Sequence, residues 1–131
     1  MQTMQQRRAQ YALQGVKDAA QKNKENKAFL KEYKSYAAAL PAMIHMNGLG
    51  QAAAFYQSKG GTHRELYKLL SGWLCQEGQP FAGKDLLDSI TGSDMHTYRL
   101  AQAEAQALMD WVKKFAKAYM ADEDGSDAST L

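Results

Sequence analysis

The residue types that pack best in β-sheets are scarce in this sequence. Val and Ile together occur four times in 131 residues, whereas Ala occurs 21 times and Leu 13 times. β-Branched residues suit a pleated sheet, while Ala and Leu lose little conformational freedom in a helix. The sequence therefore predicts an all-α fold and excludes a β-sandwich, a β-barrel and a parallel α/β sheet.

Apolar residues recur three and four positions apart along most of the chain, which is the pattern of amphipathic helices. A chain of 131 residues is the usual size of one domain. We predict a single-domain bundle of five to six helices with short loops in residues 1–121, followed by an acidic, disordered tail in residues 122–131. The predicted helices cover residues 3–22, 27–40, 42–58, 62–77, 84–90 and 95–120.

Local signals set several of these limits. The Leu40-Pro41 step ends the second helix, because the residue before a proline is driven out of the helical region. Thr62 and Glu65 have the spacing of a capping box, and Asp94 is a good N-cap for the last helix. The third helix is apolar nearly all round, so we expect it to be the buried centre of the domain.

The residues capable of catalysis do not form a recognisable active-site pattern. His45, His63 and His96 lie in three different segments without a metal-ligand spacing. His45 falls in the most apolar helix and Cys75 lies beside Trp73, so we interpret the former as a hydrogen-bonded core residue and the latter as a buried thiol. We predict no enzymatic activity, no catalytic residue, no metal and no cofactor.

The single cysteine also bears on cellular location. One cysteine cannot form an intramolecular disulfide, and the first ten residues contain no apolar signal segment. The longest apolar stretch, residues 37–56, is interrupted by Pro41, His45 and several polar or glycine residues, so it does not suit a membrane span. We therefore expect a cytoplasmic protein with no membrane partner.

Positive charge is concentrated in the N-terminal part of the chain. The formal net charge of +2 divides into +6 for residues 1–121 and −4 for residues 122–131, and residues 1–34 alone carry +5. Four lysines of this segment fall within about 80° of arc on the second helix and rise by about 5 Å per step, close to the spacing of phosphates along an extended strand. A solvated helix face explains the pattern equally well. This lysine stripe consists of Lys24, Lys27, Lys31 and Lys34.

Two further groups of cations have competing interpretations. Lys113, Lys114 and Lys117 lie near the end of the last helix, where the helix dipole favours cations, so helix capping is the default account. Residues 59–64 combine Lys59, two glycines and Arg64, a combination that can hold a phosphate at a helix N-terminus. A plain connection between two helices explains the same residues without a ligand and is the preferred interpretation.

Several segments together resemble the small-subunit family of the Cmr complexes, which are type III-B CRISPR effector complexes. The opening residues 6–16 and the later segments around Tyr67, Trp73 and Trp111 fit the pattern, and the resemblance extends over about residues 4–120. The central segment is the most specific part, and it reads Lys34-x-Tyr36 followed by Leu40-Pro41-x-Met43-Ile44-x-x-Asn47-Gly48-Leu49-Gly50-Gln51-Ala52-x-Ala54-Phe55-Tyr56-x-Ser58-Lys59.

The resemblance implies a small all-helical subunit without catalytic activity. Several copies would stack beside the other Cmr subunits and help to hold crRNA and target RNA during antiviral defence. Arg8 falls near the apolar stripe of the first helix, so it can instead pair with an internal carboxylate or lie at a subunit contact. From charge alone, the candidate RNA-binding residues are Arg7, Arg8, Lys17, Lys24, Lys27, Lys31, Lys34, Lys59 and Arg64.

A stand-alone helical DNA-binding regulator is the alternative function. Residues 62–76 would then form a recognition helix after a glycine turn. That helix offers Arg64 and Lys68 but is otherwise rich in Leu and Trp, which indicates burial. The sequence leaves open whether the isolated protein is a monomer.

Overall fold

The computed structural model describes residues 1–83 and 85–120 of the chain. The described helices confirm the all-α prediction. The predicted acidic tail, residues 122–131, lies outside the described residues, so its disorder stays a prediction. The helices of the described residues are α1 Met4–Lys22, α2 Lys27–Asn47, α3 Leu49–Lys59, α4 Gly61–Leu74, α5 Leu86–Gly92 and α6 Met95–Tyr119.

The long helix α6 organises the bundle and packs mainly against α1 and α2. The Gln106 side-chain amide donates to the Pro41 carbonyl at 2.8 Å, and the Gln102 side-chain oxygen accepts from the Leu49 amide at 2.8 Å. Gln106, later in α6, therefore lies beside Pro41 within α2. Gln102, earlier in α6, lies beside Leu49, just after α2 ends, so the two helices are antiparallel.

Helix α1 runs parallel to α6. Arg8 is paired with Glu104, and the ammonium of Lys17 lies 5.3 Å from the centroid of the Tyr119 ring. As a consequence, α1 and α6 end at the same end of the bundle, and α2 begins there.

Four helices of the described residues begin with a side-chain cap, and those of α1 and α6 illustrate the local signals. The Thr3 hydroxyl accepts from the Gln6 amide at 3.1 Å while the Gln6 side chain accepts from the Thr3 amide at 2.8 Å, a capping box that starts α1. The Asp94 carboxylate accepts from the Thr97 amide at 2.8 Å and confirms the predicted N-cap of α6. This hydrogen bond lowers the pKa of Asp94 below its usual value of 3.8.

The predicted capping box at Thr62 is wrong. The N-cap of α4 is Gly60, whose φ of +69° lies in the left-handed region that glycine adopts without steric penalty. Thr62 is already inside the helix, and its hydroxyl donates to the Glu32 carboxylate of α2 at 2.9 Å. A polar group expected to stabilise its own helix instead joins two helices.

The predicted break at the Leu40-Pro41 step is also wrong, because α2 continues through Pro41. A proline inside a helix removes one N–H donor. Gln106 donates to the Pro41 carbonyl, and the Tyr56 hydroxyl donates to the Tyr36 carbonyl at 2.7 Å, so neighbouring helices bind this part of α2. The chain breaks instead at Gly48, where φ is +88°.

The expectation that residues 42–58 form the buried centre is wrong in part. Met46 is 80% exposed and Phe55 is 42% exposed, and His45 is at the surface rather than in the core. Helix α3 packs through one face against α2, α4 and α5, although the sequence is apolar on both faces. The buried face consists of Leu49, Ala52, Ala53 and Tyr56.

Gly72 allows Tyr11 to approach α4 closely. The Tyr11 hydroxyl would lie 2.5 Å from a Cβ at position 72, and it donates to the Leu69 carbonyl at 2.7 Å. We expect Gly72→Ala to displace this hydroxyl and to lower the free energy of unfolding by about 1–2 kcal/mol, measured by urea denaturation.

Gly72→Ala should not lower the free energy of unfolding when the Tyr11 hydroxyl is absent. In a Tyr11→Phe background, Gly72→Ala should be neutral or stabilising, because alanine favours a helix over glycine by roughly 1 kcal/mol. Equal destabilisation in both backgrounds would show that this contact does not require glycine.

Candidate nucleic-acid interface

Lysines from three segments meet where α1 and α6 end and α2 begins. We call this region the basic end. Among residues 1–83 and 85–120, the carboxylates of the adjoining segments are Asp18, which accepts from Gln14 at 2.8 Å, and the exposed Glu25, Glu32 and Asp110. Within this part of the chain, lysines therefore outnumber carboxylates on this surface. The basic end carries the exposed Lys17, Lys22, Lys24, Lys27, Lys113, Lys114 and Lys117.

Tertiary packing adds residues to the surface that the sequence did not assign to it. The position of Lys113, Lys114 and Lys117 along α6 predicted helix capping. The antiparallel packing of α6 on α2 brings them to the end at which the lysine stripe starts. The spacing of these three lysines along the chain could not predict that they lie near the lysine stripe, because the distance between α2 and α6 depends on the fold.

The lysine stripe starts in the turn before α2 and continues along that helix. The Asn26 side chain caps α2 and accepts from the Phe29 amide at 3.0 Å, so Lys24 lies outside the helix. The prediction that all four lysines share one helix is therefore wrong. Lys27 and Lys31 are exposed and Lys34 is half-buried, and together they span about 10 Å along the helix axis.

The segment predicted as a phosphate site or a plain connection forms the turn between α3 and α4. Lys59 is exposed at the end of α3. The exposed Arg64 guanidinium donates to the Gln57 carbonyl, with nitrogen–oxygen distances of 3.1 and 3.4 Å. The hydrogen bond from Thr62 to Glu32 attaches this turn to α2, next to Lys31 in the sequence of that helix. These cations form a second positive surface.

An aromatic cluster that the sequence did not predict supports the same turn. The His63 ring stacks on Tyr36, with centroids 3.7 Å apart, and meets Tyr56 edge to face at 4.9 Å. Burial and the nearby Lys59 ammonium lower the pKa of His63 below its usual 6.5, against an opposing effect of Glu32. This shift favours the uncharged imidazole, and the ring packs against Tyr36 and Tyr56.

Arg8 is bound inside the protein. Its guanidinium donates to both carboxylate oxygens of Glu104, at 3.0 and 2.8 Å, and the side chains are 15% and 16% exposed. The Trp73 indole donates to the same carboxylate at 2.8 Å. Arg8 therefore pairs with an internal carboxylate, the alternative to RNA binding that its position in the sequence allowed, and it is not part of the proposed interface. Arg7 is exposed, about 15 Å from Lys17 along α1.

The opposite end of the bundle is acidic. A depression of about 660 Å³ is lined there by Asp85, Asp88 and Asp94. Asp85 and Asp94 cap α5 and α6, so helix capping accounts for two of these carboxylates. In the described residues, these carboxylates lie where α6 begins, and Lys113, Lys114 and Lys117 lie near the other end of this helix, which is about 37 Å long.

The remaining reactive side chains do not converge. His96 and His45 are exposed on different helices, and burial raises the pKa of the half-buried Cys75 thiol above its usual 9.0. Within residues 1–83 and 85–120, no group of three or more His, Cys, Asp or Glu side chains is placed to hold a metal ion. No helix in this part of the chain has the length and apolar character needed to cross a bilayer.

Comparison with known proteins supplies the family. Residues 4–119 match the family described as CRISPR-associated protein (Cas_Cmr5). The chain belongs to this family. It is 30% identical over 118 residues to the CRISPR system Cmr subunit Cmr5 of Thermus thermophilus, covering 90% of this chain and 96% of that protein. The resemblance stated from the sequence is confirmed.

A solved structure shares the fold. The crystal structure of a CRISPR-associated Cmr5 family protein from Thermus thermophilus has a TM-score of 0.75 and is 29% identical, covering 90% of this chain and 98% of that one. In this Cmr5 family chain, several residues that carried the resemblance bind neighbouring helices. The Gly50 amide donates to the Tyr98 hydroxyl at 2.9 Å, and Trp73 donates to Glu104.

Proposed function

We propose that this Cmr5 family protein is a non-catalytic structural subunit of a type III-B CRISPR effector complex in the cytoplasm. Several copies stack beside the other Cmr subunits and help to hold crRNA and target RNA. The observation that carries this proposal, beyond family membership, is the basic end, where lysines from α1, α2 and α6 meet.

The geometry suits contact with a nucleic-acid backbone rather than recognition of a sequence. Ammonium groups act as point charges toward phosphates, and the release of counterions makes such binding favourable and dependent on salt. One copy offers few contacts, so an isolated subunit binds weakly. Repetition along a stack of copies raises the total affinity without any new type of contact.

Co-expression with the other Cmr proteins and a guide RNA tests this function. We expect a tag on another subunit to recover this protein in more than one copy per complex, with the stoichiometry measured by native mass spectrometry. The same preparation without guide RNA is the control for RNA-dependent assembly. Recovery of an otherwise complete complex that lacks this protein would contradict the proposal.

The contacts of α4 give little support to the DNA-binding alternative. Its buried residues include Leu66, Leu70 and Trp73, so one whole face packs against the bundle. Of the two cations that the alternative requires, Arg64 donates to the Gln57 carbonyl and Lys68 pairs with Glu65 at 3.3 Å. Sequence-specific DNA binding by the isolated protein at physiological salt would restore this alternative.

A further inference from the structure

One aromatic ring beside the α3–α4 turn remains at the surface. Phe55 is 42% exposed, and the Lys59 ammonium lies over one face of its ring, 5.7 Å from the centroid. His63 meets the ring edge to face, with centroids 5.9 Å apart and planes at 88°. An exposed ring with a mobile lysine over one face and a histidine ring packed against it has the composition of a base-stacking surface.

The support beneath this ring is buried and held by defined contacts. Tyr56 is 2% exposed, and its hydroxyl donates to the Tyr36 carbonyl. The stacked pair of His63 and Tyr36 lies against it. Phe55 therefore projects from an ordered aromatic layer, so a stacked partner would not have to order this part of the protein first.

The size and charge of the surface favour RNA over a protein partner. A single exposed ring is far smaller than the roughly 800 Å² that each partner buries in a stable protein interface. The exposed Lys59 is the cation nearest the ring, and Arg64, held by the Gln57 carbonyl, adds positive charge to the turn. The Glu32 carboxylate, bound by the Thr62 hydroxyl, adds one negative charge. Unpaired bases offer π-faces to such a ring, whereas bases inside a duplex are already stacked on one another.

We propose that an unpaired base of bound RNA stacks on Phe55 and that the exposed Lys59 side chain moves from the ring face to an adjacent phosphate. This inference rests on the proposed RNA-holding function and deepens it, since it names single-stranded RNA as the ligand of the α3–α4 turn. The lysines of the basic end supply contacts to the backbone, and Phe55 supplies a contact that needs a base.

Binding of three labelled probes by the full chain tests the proposal, each probe being about 20 nucleotides long, which exceeds the roughly 4–16 nucleotides that one single-strand-binding OB-fold covers. The probes are an unstructured RNA, an abasic strand with the same backbone, and an RNA duplex. We expect Phe55→Ala to weaken binding of the unstructured RNA by about tenfold or more. Its affinity for the abasic strand and the duplex, and the salt dependence of binding, should not change.

Two matched variants separate stacking from simple apolar contact. Phe55→Trp should retain the affinity for unstructured RNA, whereas Phe55→Leu, which is apolar but has no aromatic face, should behave like Phe55→Ala. Because Phe55 is partly exposed, we expect these variants to fold, and circular dichroism measures whether they do.

Three results would overturn the inference. Equal affinity of wild type and Phe55→Ala for unstructured RNA would exclude stacking while leaving the proposed function intact. Unchanged RNA binding combined with fewer copies in the assembled complex would assign Phe55 to a protein contact. Failure of the wild-type protein to bind any of the three probes, alone or within the complex, would overturn both the proposed function and this inference.

Discussion

Replacing the whole lysine stripe with alanine is expected to lower affinity for single-stranded RNA on the order of a hundredfold at low salt. Each phosphate contact to a single strand contributes about 0.7 to the slope of log K against log salt. Loss of four contacts should therefore reduce the magnitude of that slope by about 2.8. Fluorescence anisotropy at several salt concentrations measures both quantities.

A pair of single substitutions controls for the loss of net charge. Lys31 and Arg99 are both exposed, but Lys31 belongs to the lysine stripe and Arg99 lies near the acidic end, where α6 begins. Lys31→Ala should reduce the salt slope by about 0.7, and Arg99→Ala should leave it unchanged. An unchanged slope for the full stripe variant would mean that these lysines form only a solvated helix face.

Replacing Glu104 with alanine is expected to lower the free energy of unfolding by about 3 kcal/mol. Its carboxylate accepts two hydrogen bonds from Arg8 and one from Trp73, so it joins α1, α4 and α6. The substitution leaves a mostly buried guanidinium without its counterion and a buried indole N–H without an acceptor. Urea denaturation of the full chain measures the change.

A double-mutant cycle shows whether Arg8 is the partner responsible for this loss. In the Glu104→Ala background, Arg8→Ala should cost little or even restore stability, because it removes the unpaired charge. Arg8→Ala alone should destabilise the fold and leave the salt slope of RNA binding unchanged. Additive effects of the two substitutions, or a reduced salt slope for Arg8→Ala, would contradict the structural role of this arginine.

The helices that the sequence predicted best are those whose signals are local. The spacing of apolar residues located α1 and α6 to within a residue or two, and Asp94 marked the start of α6 because its carboxylate binds an amide three residues away. Such interactions depend on the immediate chain alone. The resemblance to the Cmr small subunits was likewise contained in consecutive residues and is confirmed by the family match.

The predictions that were wrong are those in which a distant contact replaced a local preference. Pro41 stays within α2, where Gln106 of α6 binds its carbonyl. Thr62 donates to Glu32 of another helix instead of capping its own. Phe55 is exposed because α3 buries one face only, and the apolar residues on both of its faces did not indicate which face that would be.

By itself, the sequence determined the helical class, the approximate limits of most helices, the family and the excess of positive charge in residues 1–121. Composition and spacing suffice for these, because helix propensity and net charge are sums over the chain. Only the tertiary structure decided where the charged side chains lie in space. The directions of α1, α2 and α6 bring distant lysines to one end, bury Arg8 against Glu104 and leave Phe55 at the surface. Those outcomes depend on which helices pack together, and packing is a property of the whole fold.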